Sequence, residues 1–127
     1  MKYKLVKENK PTLSTFGKYK AVTVHNEEVT TKQILEEVAR RDGISEGDVI
    51  TVMMGLSHVI KEHLRRGDKV RLDTWGLMKL EIESDKVDSP DDFRPRKNIR
   101  GVRLHFLPES DQGRPELYQD LKFEREK

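Results

Sequence analysis

The residues best equipped for chemistry lie between positions 93 and 107, where Arg94, Arg96, Lys97, Arg100 and Arg103 occur with no acid among them. Closely spaced guanidinium and ammonium groups neutralise phosphates, and Arg and Lys entering a DNA minor groove make few base-specific demands. Lys79, on the alternating segment before them, joins this candidate nucleic-acid set. Residues 81–92 hold six acids and one Lys, which gives the same cations a second chemistry, ion pairing across an antiparallel ribbon. Exposed pairs are weak enough for duplex phosphates to displace, so the two uses are compatible. Other chemistries are poorly supplied. The chain has no Cys, hence no thiol nucleophile, disulfide or Cys-based metal site. His58 and His63 are five apart, about 140° around a helix, and do not converge on a metal. His58 and Glu62 share a face, but two ligands are not a site, and an ordinary surface role is expected. No nucleophile elbow, Gly-rich phosphate loop or paired-carboxylate motif frames the Ser, His and Asp residues. The sequence therefore argues against an enzyme and supplies no catalytic residues, cofactor or small-molecule substrate.

The elements that position the basic run are organised around Arg65 to Ile82, where the apolar period changes. Before Gly67 apolar residues recur at helical spacing; after it they alternate, Val70 and Leu72 on one face of a first strand and Met78, Leu80 and Ile82 on one face of a second. Gly67 suits a helix C′ position, and Asp73-Thr74-Trp75-Gly76 reads as a turn closed by Gly. Upstream, Thr30 with Gln33 forms a capping box, Val29 and Ile34 can staple it, and Gly43 stops the first helix. Ser45 with Asp48 opens a second helix, whose stripe of Val49, Val52, Met53, Leu56, Val59, Ile60 and Leu64 runs about five turns. The polar face of that helix (Thr51, Ser57, Lys61, Arg65) offers few groups suited to base edges, which argues against a helix–turn–helix reader. Downstream, residues 83–98 are polar, with Pro90 and Pro95, and alternation returns at Val102, Leu104 and Phe106. Two strands separated by such an excursion describe an arm. Pro108 closes the strand, residues 109–114 read as loop, and Pro115 at N1 predicts a short helix through Leu117, Leu121 and Phe123. At the other end, residues 2–7 and 19–24 alternate and predict two short strands. Residues 1–20 carry six Lys and one Glu, fitted either for phosphate contact or for guarding a solvated strand edge.

With 127 residues, 34% hydrophobic and 38% charged, the chain predicts one domain with a thin core. The apolar stripe of the second helix is broader than a lone short helix pair covers, so burial against a second copy is expected. Net charge is only +2, but it is blocked by segment rather than mixed. The N-terminal residues lack the apolar core of a signal peptide, and no stretch approaches a membrane span, so a cytoplasmic location and no membrane partner are expected.

Arg65-Arg66-Gly67-Asp68-Lys69-Val70-Arg71-Leu72, followed by Trp75-Gly76 and an alternating strand, resembles the core of the HU/IHF family of bacterial histone-like proteins. Gly43-Ile44-Ser45-Glu46-Gly47-Asp48 resembles the family's helix–helix turn. The resemblance covers about Thr31 to Phe123; residues 1–29, with Lys2-Tyr3-Lys4, resemble an N-terminally extended HU-related subgroup of Bacteroides-type bacteria. It implies an α+β, IHF-like fold: a helical hairpin, a three-stranded antiparallel sheet with a β-arm, and a short C-terminal helix, preceded by a short strand pair, in an intertwined dimer. Residues 1–29 would be the extension and 30–127 the HU-like domain. It further implies a nucleoid-associated protein that binds duplex DNA as a homodimer with little sequence preference, the basic run and Lys79 making the contacts. Met78 stands where ordinary HU has Phe, a tolerable core exchange. The arm departs most: the Arg-Asn-Pro-x-Thr-Gly tip of ordinary HU is missing, and Pro90 sits among acids. The competing expectation is a protein-interaction or structural module on the same fold, with weak or no DNA binding.

Overall fold

The computed structural model describes residues 1–111 and 113–127. Helix α1 (Thr31–Asp42) opens on the expected box: Thr30 Oγ1 accepts the Gln33 N–H at 3.2 Å and Gln33 Oε1 accepts the Thr30 N–H at 2.8 Å. Gly43 ends it at φ +67°, donating its N–H to the Ala39 carbonyl. Helix α2 (Glu46–Arg65) starts where Ser45 Oγ accepts the Asp48 N–H at 3.1 Å. At its end Gly67, at φ +93°, and Asp68 donate to the Leu64 and His63 carbonyls. Both helix starts and both stops thus follow from capping residues legible in the sequence.

From Gly67 the chain enters the sheet. Strands β3 (Val70–Leu72), β4 (Gly76–Ser84) and β5 (Ile99–Pro108) form an antiparallel sheet in the order β3-β4-β5. Met78, Leu80 and Ile82 lie opposite Phe106, Leu104 and Val102, which gives one apolar face; Val70 and Leu72 join it opposite Met78 and Gly76. The β3–β4 turn differs in detail from the sequence reading. Its left-handed residue is Thr74 at φ +71°, while Gly76, at φ +156°, lies where the Leu107 backbone comes too close for any side chain.

Residues 85–98 form a compact loop with a 3-10 turn (Pro90–Asp92) and a single helical turn, α3 (Pro95–Asn98), rather than a long open arm. The expected C-terminal helix is absent. Pro115 belongs to a two-residue strand pair, β6 (Ser110–Asp111) with β7 (Arg114–Pro115), and one 3-10 turn, Glu116–Tyr118, follows. Asp120 adopts φ +56°, which helix cannot continue through. The tail becomes strand β8 (Glu124–Arg125) because the Met1 and Tyr3 carbonyls accept the Glu124 and Glu126 N–H groups at 3.0 and 2.8 Å. It pairs in parallel with β1 (Lys2–Lys7), itself antiparallel to β2 (Tyr19–Val24), giving a second sheet in the order β2-β1-β8.

Side-chain burial among the described residues is nearly confined to Ala39, Leu64 and Asn98. The α2 stripe stays open, with Val52 at 61% and Val59 at 49% exposure, and so does the apolar sheet face, with Ile82 at 65%. Among the described residues no helix is long and apolar enough to cross a membrane.

Candidate nucleic-acid interface

Strand alternation puts the ribbon's polar side chains on the face opposite its apolar one: Lys79, Glu81 and Glu83 on β4, and Arg103 and His105 on β5. Lys79 lies opposite His105, and Glu81 opposite Arg103. The outgoing carboxylates occupy the cations. Lys79 Nζ is 3.0 Å from Glu81 Oε1, Arg103 Nε 3.9 Å from Glu83 Oε1, and Arg100 Nε 3.1 Å from Asp85 Oδ1. His105 Nδ1 is buried without a hydrogen-bond partner among the described residues, 3.6 Å from Glu81 Oε1. The hydrogen bond from Lys79 and its charge hold the Glu81 carboxyl below the usual carboxylate range; His105 pulls the same way less strongly, and burial opposes both.

At the ribbon's end the remaining candidates are carried by the loop, whose pivot is Asn98, 7% exposed. Asn98 Oδ1 accepts the Arg94 N–H at 2.7 Å, its N–H donates to the Arg94 carbonyl at 2.7 Å, and its carbonyl accepts the Asp85 N–H at 2.8 Å. That closes residues 85–98 into a ring. The Arg94 guanidinium braces the ring, donating through Nη1 to the Asp91 and Phe93 carbonyls at 2.8 and 3.2 Å. Arg96 and Lys97 project from α3, exposed, with no ion pair among the described residues.

The six candidate residues thus divide. Lys79, Arg100 and Arg103 hold carboxylates, Arg94 holds backbone, and Arg96 and Lys97 are open to a ligand. The acid–base pairing anticipated for the arm occurs at Asp85, which meets Arg100. The pairing of Glu81 with His105 and the role of Asn98 depend on cross-strand register and loop closure, which residue types alone do not reveal. Among the described residues no group of three His, Cys, Asp or Glu could hold a metal ion. The shared face of His58 and Glu62 is present, their side chains 3.4 Å apart.

The family of HU domains fused to wHTH, Ig or glycine-rich motifs (HU-HIG) matches residues 1–125. The chain belongs to this family. An HU mutant from Thermotoga maritima aligns at 20% identity over 65% of this chain and 90% of its own, with a TM-score of 0.47. A chain from Bacteroides vulgatus ATCC 8482, crystallised as a candidate bacterial DNA-binding protein, aligns at 16% identity with a TM-score of 0.57. That alignment covers 84% of this HU-HIG chain but only 41% of the Bacteroides chain, so the present sequence spans less than half of that relative's length. No curated protein matches. The likeness to the Bacteroides chain is one of fold.

Proposed function

We propose that this HU-HIG chain binds duplex DNA as a homodimer, with little sequence preference, through phosphate and minor-groove contacts. The observation that carries the reading is the HU-domain family match over residues 1–125. The ribbon supports it: Arg96 and Lys97 stand open on α3, while Arg100 and Arg103 flank one face in largely exposed pairs that phosphates can displace, beside the half-buried Lys79–Glu81 pair. A second copy covers the open stripe of α2, which a chain with so few buried side chains needs in order to be stable. Such a protein belongs with the bacterial nucleoid and needs neither cofactor nor catalytic residue.

The second reading, an HU-fold interaction module with weak DNA affinity, is favoured by one observation, the occupation of the ribbon cations by Glu81, Glu83 and Asp85. A salt titration of binding to a generic duplex separates the two. Phosphate contacts make log K fall linearly with log salt, and replacing Arg96 and Lys97 by Ala lowers the slope by about 0.9 for each phosphate no longer engaged. A folded dimer that ignores duplex at low salt gives the protein to the second reading.

A further inference from the structure

We infer that the sheet of β2, β1 and β8 is a second anchoring surface for duplex phosphates; this rests on the duplex-binding reading above. Charge distribution points there first. Residues 1–24 and 122–127, which build this sheet, carry nine Lys and Arg against three Glu, whereas residues 25–121 carry sixteen against twenty acids. The chain's entire positive excess therefore lies on the sheet and its loop, and the remainder is acidic.

Strand geometry then concentrates it. In the β1–β2 register Lys2, Lys4 and Val6 lie opposite Val24, Val22 and Lys20. Alternate residues share a face and sit about 7 Å apart, so Lys2, Lys4 and Lys20 form one cationic row among valines. Glu124, beside Lys2 in the β1–β8 register, is the single acid among the strand residues of that face. All three lysines are exposed, and among the described residues none lies within ion-pair distance of a carboxylate, in contrast to Lys79, Arg100 and Arg103. Like charges gathered on one strand face are destabilising without a counter-anion. Guarding a strand edge does not account for Lys2, because β8 makes β1 an interior strand at Lys2 and Tyr3. A row of uncommitted ammonium groups on a rigid sheet fits a phosphate backbone, which attracts charge without reading sequence. Division of labour follows: the sheet supplies free cations, and the ribbon supplies cations that must first be released.

The test is the full chain against a generic duplex, measured over a range of salt concentrations, with Lys2, Lys4 and Lys20 replaced together by Gln. The salt slope should shrink by about 0.9 for each phosphate no longer neutralised, up to about 2.7 per chain. The corresponding Arg replacements should restore it, and the Gln variant should melt like the parent. If that variant melts lower, Lys4→Gln and Lys20→Gln singly should each take about 0.9 off the slope. A parent that binds duplex while the Gln variants keep its slope overturns this inference and leaves the duplex reading standing. A parent that binds no duplex at low salt overturns both, as does one that binds only vesicles containing an anionic phospholipid.

Discussion

Replacing Asn98 by Ala should loosen the loop that carries Arg94, Arg96 and Lys97 without unfolding the ribbon. Asn98 makes three hydrogen bonds in the ring, two through its backbone, which the substitution leaves in place. What disappears is Oδ1, the acceptor of the part-buried Arg94 N–H. An orphaned donor of that kind costs about 1–3 kcal/mol. The cost falls on the loop, because β4 and β5 remain paired from Gly76↔Pro108 to Ser84↔Ile99. Native-state hydrogen exchange should therefore show the Arg94 and Asp85 amides exchanging roughly 5- to 150-fold faster, with amides inside the β4–β5 ladder unchanged. Asn98→Asp, which keeps an acceptor in place, should retain most of the protection. If Arg94 exchanges at the parent rate in Asn98→Ala, the side chain does not hold the ring, and the loop presents its cations by some other means.

Gly76→Ala should destabilise by roughly 2–5 kcal/mol, since its Cβ would enter the contact shell of the Leu107 carbonyl oxygen and approach Phe106 Cζ to 3.0 Å at φ +156°; a thermal melt reads it. Gly101→Ala, whose Cβ meets nothing within 4 Å, is the matched control and should shift stability by less than about 1 kcal/mol. Thr30→Ala removes the α1 capping oxygen and should cost ~1 kcal/mol, with Thr31→Ala costing much less; equal melting of the two would move the helix start. Glu81, depressed in the folded chain, contributes stability that is present above its unfolded value of 4.5 and is lost as pH falls through the folded value. An NMR titration should find Glu81 protonating below the usual carboxylate range, and Lys79→Met should remove most of that depression.

The helices and the ribbon were legible because their signals are local. Caps such as Thr30–Gln33 and stops such as Gly43 and Gly67 work within a few residues, and alternation at Met78, Leu80 and Ile82 fixes which face is apolar. The tail was not legible for the opposite reason. Pro115 followed by Leu117, Leu121 and Phe123 carries a helical pattern, yet the partners that decide its structure are the Met1 and Tyr3 carbonyls at the far end of the chain. The candidate site falls between these cases. Residue types alone marked Arg94 to Arg103 as cationic. Which of them stay free depends on cross-strand register and on a register shift between Glu83 and Ser84 that sequence does not announce.

The Met1 ammonium donates to the Lys122 carbonyl, so the first and last segments of the chain meet in one sheet. During synthesis β1 and β2 of that sheet are made long before β8. The β1–β2 hairpin emerges early, with the backbone of Lys2 and Tyr3 unpaired on its outer side until Glu124 and Arg125 have been made. Separation along the chain is not the obstacle, since the entropy of closing a loop rises only with the logarithm of its length. Waiting is: an unfinished edge can recruit a strand from another nascent chain. A chain lacking Glu124 and Arg125 would stay in that unfinished condition permanently, keeping its helices and ribbon while offering β1 to its neighbours.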